Sequence, residues 1–515
     1  MPVQPTNSTA QTHTIRSEKS QDNDSFLVSF ADAQDPSNPL NWSSGRKWAV
    51  TDVLSATGFN RIMVSTIMAP ALPLIAQELH MSSTEAVMSM SIYLLATAFG
   101  PLFIGPLSEM YGRAPVLHAS NVWFLVWNIA CGFATTKELL IGARFLAGFG
   151  ASSIYALAGG VLGDVWRPEQ RGQSLALYLL IPLLAVAVGP IIGGFMAYRT
   201  TWRWMFWATS VFQAVMVAMS FICFRETYAP AILQRRAERL RKTTGDSRYQ
   251  TVFERLETNK SLSTRLSRAL SRPLRLLAFH PIIQVTSIMS AFNYGLLYIL
   301  LSSLSEIWTA QYGQSVEMSG LHYVAVAAGE IIGSLIGGKL LDMLYPIMKA
   351  RFSPRRPAAA DAEMQHHHND TAGANDDEDE HTPELRIPLM LPGLALAPLG
   401  FFLYGWTAQY HTHWSAVDAG VLLASFGMQL SGIPRQAYVM DAYPEHTSSA
   451  LAASQFLQSL TAFLFPLFVP QMYASLGYGW GNSLLGFLGL FVGCPMVWAL
   501  WMFGARLRSK ATMSY

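Results

Sequence analysis

Gly105-Pro-Leu-Ser-Glu-Met-Tyr-Gly-Arg113 is the stretch of sequence that decides the fold. It lies between two apolar runs, 86–104 and 116–134. Glycine lets two helix ends approach closely, and the carboxylate of Glu109 and the guanidinium of Arg113 can bridge to a neighbouring helix end. The segment therefore predicts a charged turn between two membrane helices. We assign a gating role to Gly105, Glu109, Gly112 and Arg113.

A shorter copy of this pattern, Gly338-Lys-Leu-Leu-Asp342, follows another apolar run more than two hundred residues later. We expect each copy to end the second span of its half of the chain, and we add Asp342 to the gating residues. The alternative is that charged, glycine-bearing turns are simply common between membrane helices. Two copies in matching positions instead favour a duplicated transporter with its substrate site between the halves.

Composition excludes several classes of protein. Of the 515 residues, 51% are hydrophobic and only 13% are charged, against roughly 25% charged residues in soluble domains. The apolar residues fall in blocks of about twenty, the length of a membrane-spanning helix. A net charge of +2 does not favour nucleic-acid binding. Cys131, Cys223 and Cys494 lie in separate runs, and the histidines at 366–368 have no second cluster, so we expect no metal and no cofactor.

The apolar blocks predict an all-α membrane protein with twelve spans. We place them near 48–70, 85–107, 115–135, 138–164, 172–197, 203–224, 281–309, 318–345, 387–408, 416–439, 450–473 and 481–504. The predicted organisation is a disordered tail (1–47), a six-helix bundle (48–224), a linker with an amphipathic helix at 231–240 (225–280), a second six-helix bundle (281–504) and a tail (505–515). An acidic segment at 351–384 interrupts the second bundle and cannot bury a core, so we expect disorder there.

Basic residues predict the orientation in the membrane. If the N-terminus is cytosolic, most of the arginines and lysines outside the spans fall on the cytosolic side, and only Lys137, Arg199 and Arg203 fall on the other. This asymmetry follows the positive-inside rule with both termini in the cytosol. We expect a multi-pass protein of the plasma membrane, with a vacuolar or vesicle membrane as the alternative.

Several segments resemble motifs of the major facilitator superfamily. The segment from Gly105 is similar to its loop signature between spans two and three. Arg144-Phe-Leu-Ala-Gly-Phe-Gly150 resembles the motif whose arginine is tied to proton coupling, and Ala185-Val-Ala-Val-Gly-Pro-Ile-Ile-Gly-Gly194 resembles the antiporter motif. Asn38-Pro-Leu-Asn-Trp42 and the segment from Asp441 to Ala450 look like fungal members of the twelve-span drug:proton antiporter family. Glu109 departs from the usual aspartate, Ala114 from a basic residue and Ala185 from a glycine.

The resemblance implies two pseudo-symmetric six-helix bundles and proton-coupled export of a small organic molecule by alternating access. The expected substrate is a secondary metabolite, toxin, drug or organic acid, carried by a monomer that exchanges it for protons. Uptake by proton symport is the nearest alternative. A polytopic membrane enzyme is the other, but no catalytic cluster supports it. A near match to a nucleotide-binding loop at 333–340 lacks the Ser/Thr that would hold magnesium.

Ionisable residues inside spans mark candidate sites, because each costs several kcal/mol unless it is paired or faces water. Arg61 lies deep in span one and Glu330 deep in span eight. We predict that Arg61 binds an anionic or strongly polar group of the substrate. Glu330 is a candidate for both substrate binding and proton coupling, and Arg144 for proton coupling. The alternative is an Arg61–Glu330 ion pair that locks the two halves together.

Uncharged polar residues complete the predicted site. Candidate substrate ligands are Asn293, Tyr294, Gln429, Gln455 and Gln458, although each could instead hold helices together. We expect Arg435 to extend its charged end to the cytosolic surface. Asp164 and Arg171 predict a second gating contact. Gly189 and Pro190 in span five predict a bend that seals the cavity, or else a plain packing face.

Overall fold

The computed structural model describes residues 26–31, 34–257, 262–352, 383–443 and 447–511. Within them the first half of the chain forms spans 1 to 6. Span 1 comprises Ser44–Thr66 and the short helix Leu72–Glu78, joined by a 3-10 turn at Ala69–Ala71. The others are Ser83–Tyr111 (span 2), Arg113–Gly132 (span 3), Lys137–Ala151 with Ser153–Val165 (span 4), Pro168–Arg199 (span 5) and Arg203–Cys223 (span 6).

The second half forms spans 7 to 12. Span 7 is Pro281–Glu306 with a π-helical turn Ile307–Gln311, and span 8 is Val316–Leu321 with Tyr323–Phe352. Span 9 is Leu391–Gln409, preceded by 3-10 turns at Pro383–Arg386 and Pro388–Met390, and span 10 is Trp414–Ala442. Spans 11 and 12 lie in Thr447–Ala511, which breaks at Gly477, where φ is 71°.

Twelve crossings are consistent with these helices. Ten described segments are long and apolar enough to span a bilayer. One of them, Ser449–Arg508, makes two passes because Gly477 is not helical. Arg113–Gly132, a 20-residue helix packed against spans 2, 4 and 6, supplies the remaining crossing. Helices suit this setting because all their backbone hydrogen bonds close within the segment.

Residues outside the spans define two faces. We call the face that carries the helices Ala229–Thr244 and Leu262–Phe279 the linker face, and the opposite face the far face. Ala229–Thr244 buries Ala231, Leu233 and Ala237 and contains the amphipathic helix expected at 231–240. Leu262–Phe279 packs against span 2 of the first half and against the Thr447–Ala511 helix of the second. The linker therefore contacts both bundles.

The predicted disordered tail differs from the structure beyond residue 25. Leu27–Val28 pairs in parallel with Gln250–Thr251 of the linker, and Pro39–Asn41 forms a 3-10 turn before span 1. Residues 1–25 and 32–33, and most of the acidic segment predicted at 351–384, lie outside the described residues. The expected tail is ordered in part because Asp35 binds Arg236 of the linker, with 2.9 Å between Oδ2 and Nη1.

Asp35 keeps its charge under physiological conditions. The hydroxyl and backbone N–H of Ser37, the N–H of Ala31 and the Arg236 guanidinium hold the pKa of this carboxyl well below its ordinary value. A lowered pKa means that Asp35 contributes to stability above the ordinary aspartate pKa, and loses that contribution only as the pH falls through the lowered value. The contact between this segment and the linker is therefore constant at neutral pH.

Three apolar clusters show where the two bundles meet. The largest joins both halves and contains residues such as Ile67, Tyr93, Leu300 and Trp308, all towards the far face. The other two lie towards the linker face. One is confined to the first half, around Leu54 and Leu157, and one to the second, around Ile283 and Met390. The bundles therefore share a core at the far face and have separate cores at the linker face.

Candidate functional site

A cavity of about 290 Å³ lies in the second bundle, between spans 7, 8, 10 and 11. Its lining is mostly polar side chains, although all four spans are apolar overall. The polar ones are Ser290, Asn293, Tyr294, Glu330, Gln429, Arg435, Gln436, Ser454, Gln455 and Gln458. Ligand pockets usually measure about 300–1,000 Å³. This cavity is therefore of a size for one small organic molecule.

Six of the seven predicted substrate ligands come together here. Asn293, Tyr294, Glu330, Gln429, Gln455 and Gln458 all line the cavity, and Arg61 does not. Asn293 donates to Ser431 Oγ at 3.2 Å, and Gln455 donates to Ser459 Oγ at 3.0 Å. Within the described residues, the side-chain amides of Gln429 and Gln458 make no hydrogen bond. These two amides are available to a ligand.

Glu330 is the carboxyl group of the cavity. It is 8% exposed, and no described residue makes a hydrogen bond or ion pair with its side chain. The preceding Gly329 positions it, because a side chain there would lie 2.5 Å from the carbonyl oxygen of Leu422 in span 10. Gly333 and Gly337 continue this contact one and two turns later, as expected for a packing stripe. Span 8 is thereby held against span 10 with Glu330 beside the seam.

Arg61 is buried inside the first bundle, not in the cavity. Its Nη1 donates to the carbonyl of Ala151 at 2.9 Å and to Ser153 Oγ at 2.5 Å, and its Nη2 donates to Asn121 Oδ1. The predicted lock with Glu330 does not form in this structure. The two terminal nitrogens of Arg61 find partners on spans 3 and 4, which present a carbonyl, a hydroxyl and an amide at the same depth, whereas its buried Nε has no partner in the described structure. Its contacts connect three helices.

Arg144 likewise makes structural contacts. It is fully buried, and its three nitrogens donate to the carbonyl oxygens of Ser89 (3.3 Å), Val64 (2.9 Å) and Met90 (3.2 Å). The ring of Tyr93 lies 4.6 Å from its guanidinium carbon. No carboxyl group of the described residues pairs with it. Arg144 ties span 4 to spans 1 and 2, and its predicted part in proton coupling has no acidic partner here.

Arg435 is the basic residue of the cavity, and sequence reasoning missed it. It is 6% exposed and does not extend to the surface as expected. Its Nε donates to Ser290 Oγ at 2.8 Å, and its Nη1 is buried without a hydrogen-bond partner in the described structure. Its nearness to the helix end at Ala442 suggested an exposed charge. Its spacing gave no signal, because a residue six positions after Gln429 lies about 120° away around the helix.

At the linker face, Arg113 joins the ends of three spans. Its Nε lies 3.4 Å from Asp164 Oδ2, its Nη1 donates to Ser108 Oγ at 2.7 Å, and its backbone N–H donates to Glu226 Oε1 at 2.8 Å. Asp164 also accepts a hydrogen bond from the hydroxyl of Thr227. Glu226 was not predicted, and it caps the first turn of span 3. This network connects the ends of spans 2, 3 and 4 with the segment that follows span 6.

Three details of the predicted gate are corrected. Span 2 stays helical to Tyr111, so the turn is Gly112 alone, with φ of 97°. Glu109 is exposed and does not pair with Arg113, which uses Asp164 instead. The copy at Gly338 lies within the helix Tyr323–Phe352 and is not a turn, because span 8 extends past the bilayer-length segment. The side chains of Arg171 and Asp342 lie outside the described residues.

At the far face, span 5 makes close contacts with both bundles. A side chain at Gly189 would lie 2.6 Å from Thr66 Oγ1 of span 1. On the other side, an atom added at Gly320 of span 8 would lie 2.7 Å from the carbonyl oxygen of Pro190, and one at Gly194 would lie 2.8 Å from that of Val316. The segment resembling an antiporter motif is therefore the seam between the bundles.

Two glycines of the described linker face make no such close contact. Side-chain atoms added at Gly105 of span 2 or Gly338 of span 8 would meet nothing within 4 Å. Nearer the middle of the molecule, Thr97 of span 2 donates to Ser459 Oγ of span 11 at 3.0 Å. The close glycine packing of the far face is therefore absent at Gly105 and Gly338, and the apolar clusters of the two bundles are separate towards the linker face.

Comparisons with known proteins agree with this architecture. The sequence model of the Major Facilitator Superfamily matches residues 54–358. The chain is 53% identical to the probable efflux pump mfs2 of Aspergillus flavus, over 87% of this chain and 100% of that protein. It is 39% identical to the efflux pump vrtL of Penicillium aethiopicum, over 95% and 92% of the two chains.

Solved structures share the fold at low identity. The xylose transporter XylE from E. coli, in a partially occluded inward-open conformation, matches with a TM-score of 0.61 at 13% identity, over 89% of this chain and 98% of that chain. A bacterial homologue of the human lysosomal transporter Spinster matches with a TM-score of 0.60 at 14% identity, over 91% and 99%. Both likenesses concern the fold.

Proposed function

The chain belongs to the Major Facilitator Superfamily, and from that premise we propose that it exports a small organic molecule in exchange for protons, with Glu330 as the proton carrier. The family confirms the predicted all-α, two-bundle fold and a membrane transporter that is not an enzyme. Export is supported by the relatives named efflux pumps. The observation that carries the proposal is the unpaired Glu330 carboxyl in a polar cavity.

The exchange would follow from competition at one group. An ionised Glu330 accepts hydrogen bonds from a polar substrate, whereas a protonated Glu330 has lost the charge that strengthens those bonds. Burial makes the ionised carboxyl costly when nothing is bound, so either a proton or a substrate donor must satisfy it. Because the site holds either the proton or the substrate, the two cross the membrane in opposite directions as the bundles open alternately at the two faces. This competition is the physical basis of antiport.

The gate residues take structural roles in this cycle. We propose that the span 5 seam around Gly189 and Pro190 closes the far face, and that the Arg113–Asp164 network favours one of the two states at the linker face. The basic residues of the linker support a cytosolic linker face, with both termini in the cytosol and the protein in the plasma membrane. A monomer, as expected from the sequence, is part of the same proposal.

The test uses inside-out vesicles of yeast plasma membrane that contain the protein. The vesicles, with an acidic interior, are incubated with an extract of fungal culture medium, and internalised compounds are identified by mass spectrometry. We expect accumulation that collapses with the pH gradient. Glu330→Gln should abolish gradient-driven accumulation, because the amide cannot release a proton. Glu138→Gln, the same change at an exposed residue of the far face, should retain it.

Uptake by symport is the competing outcome. Right-side-out vesicles with an inward proton gradient would then accumulate a compound, with protons moving in the same direction, and inside-out vesicles would not. That result would overturn export. If accumulation by the Glu330→Gln variant still depends on the pH gradient, the assignment of the proton to this carboxyl is overturned.

A further inference from the structure

Arg435 differs from the other deeply buried arginines in what its nitrogens contact. Arg61 and Arg144 each direct both terminal nitrogens onto protein oxygens. In Arg435, only Nε has a hydrogen-bond partner, Ser290 Oγ, and the buried Nη1 has none. A guanidinium stays charged at physiological pH and is costly to bury without a counter-charge. Arg61 also has a buried nitrogen without a partner, its Nε, but Arg61 lies inside the first bundle, whereas Arg435 leaves a terminal nitrogen without a partner and lines the cavity.

The wall beside Arg435 leaves room for a ligand. Gly432 lies one turn before it, and an atom added there would be 3.6 Å from Arg435 Nη2 and 3.8 Å from Gln429 Oε1. The backbone at this point carries no side chain, while a cation and an amide flank it. No ion pair links Arg435 to a carboxyl group of the described residues, although Glu330 lines the same cavity. A negatively charged ligand can therefore supply the counter-charge that no described residue provides.

We propose that the substrate is a small organic acid that also carries a hydroxyl or amine donor. Its acidic group pairs with Arg435, and its donor binds Glu330 with the free amides of Gln429 and Gln458. This rests on the proposed function, in which the cavity is the transport site. The donor competes with the proton at Glu330, while the acidic group compensates a charge that stays constant through the cycle. Arg435 thereby sets substrate class and Glu330 sets coupling.

Binding to the purified protein tests this proposal without any gradient. The probe is tritiated 4-hydroxybenzoate, measured by scintillation proximity on the full chain in detergent. Unlabelled 4-hydroxybenzamide, which lacks the acidic group, and benzoate, which lacks the donor, are the competitors. Charge-assisted hydrogen bonds exceed neutral ones in strength. We expect the acid to bind at least about tenfold more tightly than either competitor.

Variants separate the two ends of the ligand. Arg435→Gln should weaken binding of the acid about tenfold or more and change binding of the amide less than about twofold. The preference for the acid over the amide should therefore disappear. Arg435→Lys should retain part of it. The matched control Arg239→Gln removes an exposed arginine of the linker helix Ala229–Thr244 and should change neither. Gly432→Leu keeps the charge but fills the space beside it, and should block every probe even if Arg435→Gln proves unstable.

Three results would overturn the proposal. The first is that the acid and its amide bind the wild type equally. The second is that Arg435→Gln keeps the preference for the acid, and the third is that the acid shows no binding at millimolar concentration. Because no gradient is applied, acid binding can succeed where gradient-driven export fails. Conversely, vesicles that export only compounds without an acidic group would retain the proposed transport and reject the proposed substrate class.

Discussion

Arg144 illustrates how a charge buried in a membrane bundle is stabilised by the backbone alone. It donates to three carbonyl oxygens from two different spans. A carbonyl carries only a partial charge, but three of them aimed at one planar guanidinium replace much of the lost hydration. The planar fork of arginine suits this arrangement, and a lysine cannot reproduce it. We therefore expect Arg144 to contribute mainly to the stability of the folded protein, and less to proton coupling.

Arg144→Lys tests that expectation. The ammonium cannot reach all three carbonyls, so we predict destabilisation of about 2 kcal/mol, from the net value of the lost hydrogen bonds. Thermal unfolding in detergent should show a melting temperature lower by several degrees, and the pH profile of transport should be unchanged. Arg199→Lys, at a residue with a 68% exposed side chain, is the control and should have no effect. A wild-type melting temperature with a shifted pH profile would return Arg144 to proton coupling.

The candidate site was predictable residue by residue only in part. Glu330, Gln429 and Gln458 could be found because polar groups in apolar spans are costly and so point to a cavity or a partner. Arg61 met the same criterion but lies outside the cavity, because sequence gives the depth of a residue in a helix but not the acceptors on neighbouring helices. Arg435 was missed for the converse reason, since its position near a helix end suggested that it would reach water.

At the scale of elements, the contact between spans 5 and 8 depends on the absence of side chains. Gly320 packs on the carbonyl of Pro190, and Gly194 packs on that of Val316. Such close approach allows two helices from different bundles to seal without large side chains between them. The seal can also separate without leaving a large cavity in either bundle. This is a suitable contact for a gate that opens and closes repeatedly.

Gly320→Val should hold this gate open. The added atoms would meet the Pro190 carbonyl at 2.7 Å or less, so spans 5 and 8 must separate. We predict a large increase in far-face labelling of a cysteine that replaces the buried Ser319 by a membrane-impermeant maleimide, and a loss of transport. Gly338→Val is the matched control on the same span, because nothing lies within 4 Å of its added atom. Equal labelling of both variants would contradict the gate.

The elements themselves followed largely from the sequence, and their ends did not. Blocks of about twenty apolar residues located the spans, since a bilayer imposes that length. The turn after span 2 was placed too early, because Gly105 and Pro106 look like breakers but remain helical. In a bundle, neighbouring helices compensate for such residues. For the same reason Gly338 lies within span 8, where the sequence suggested a turn.

At the scale of the whole molecule, the three apolar clusters define the motion that is possible. The shared cluster at the far face would have to divide before that face could open, whereas the two clusters at the linker face are already separate. Opening one face therefore exposes apolar surface to water, and closing the other face must bury a similar apolar area in compensation. The two ends of the molecule are coupled through this exchange of buried area.

Distances between spin labels would show this coupling. Cysteines replacing Tyr198 and Met318 report on the far face, and those replacing Tyr111 and Met343 on the linker face; all four residues are exposed. The background needs Cys223→Ser and Cys494→Ser, since these cysteines are partly or fully exposed. We predict that Glu330→Gln, or a change of pH, moves the two distances in opposite directions. Changes of the same sign would contradict alternation between two faces.

The pairing of Leu27–Val28 with Gln250–Thr251 has a consequence for synthesis of the chain. Translation produces the first strand before span 1 and its partner only after span 6. The pairing therefore cannot form until the whole first bundle has left the ribosome, and the same holds for the Asp35–Arg236 contact. Domains generally fold as units in the order of their synthesis. The segment before span 1 thus marks completion of the first bundle, and it is fastened to the linker while the second bundle is still being made.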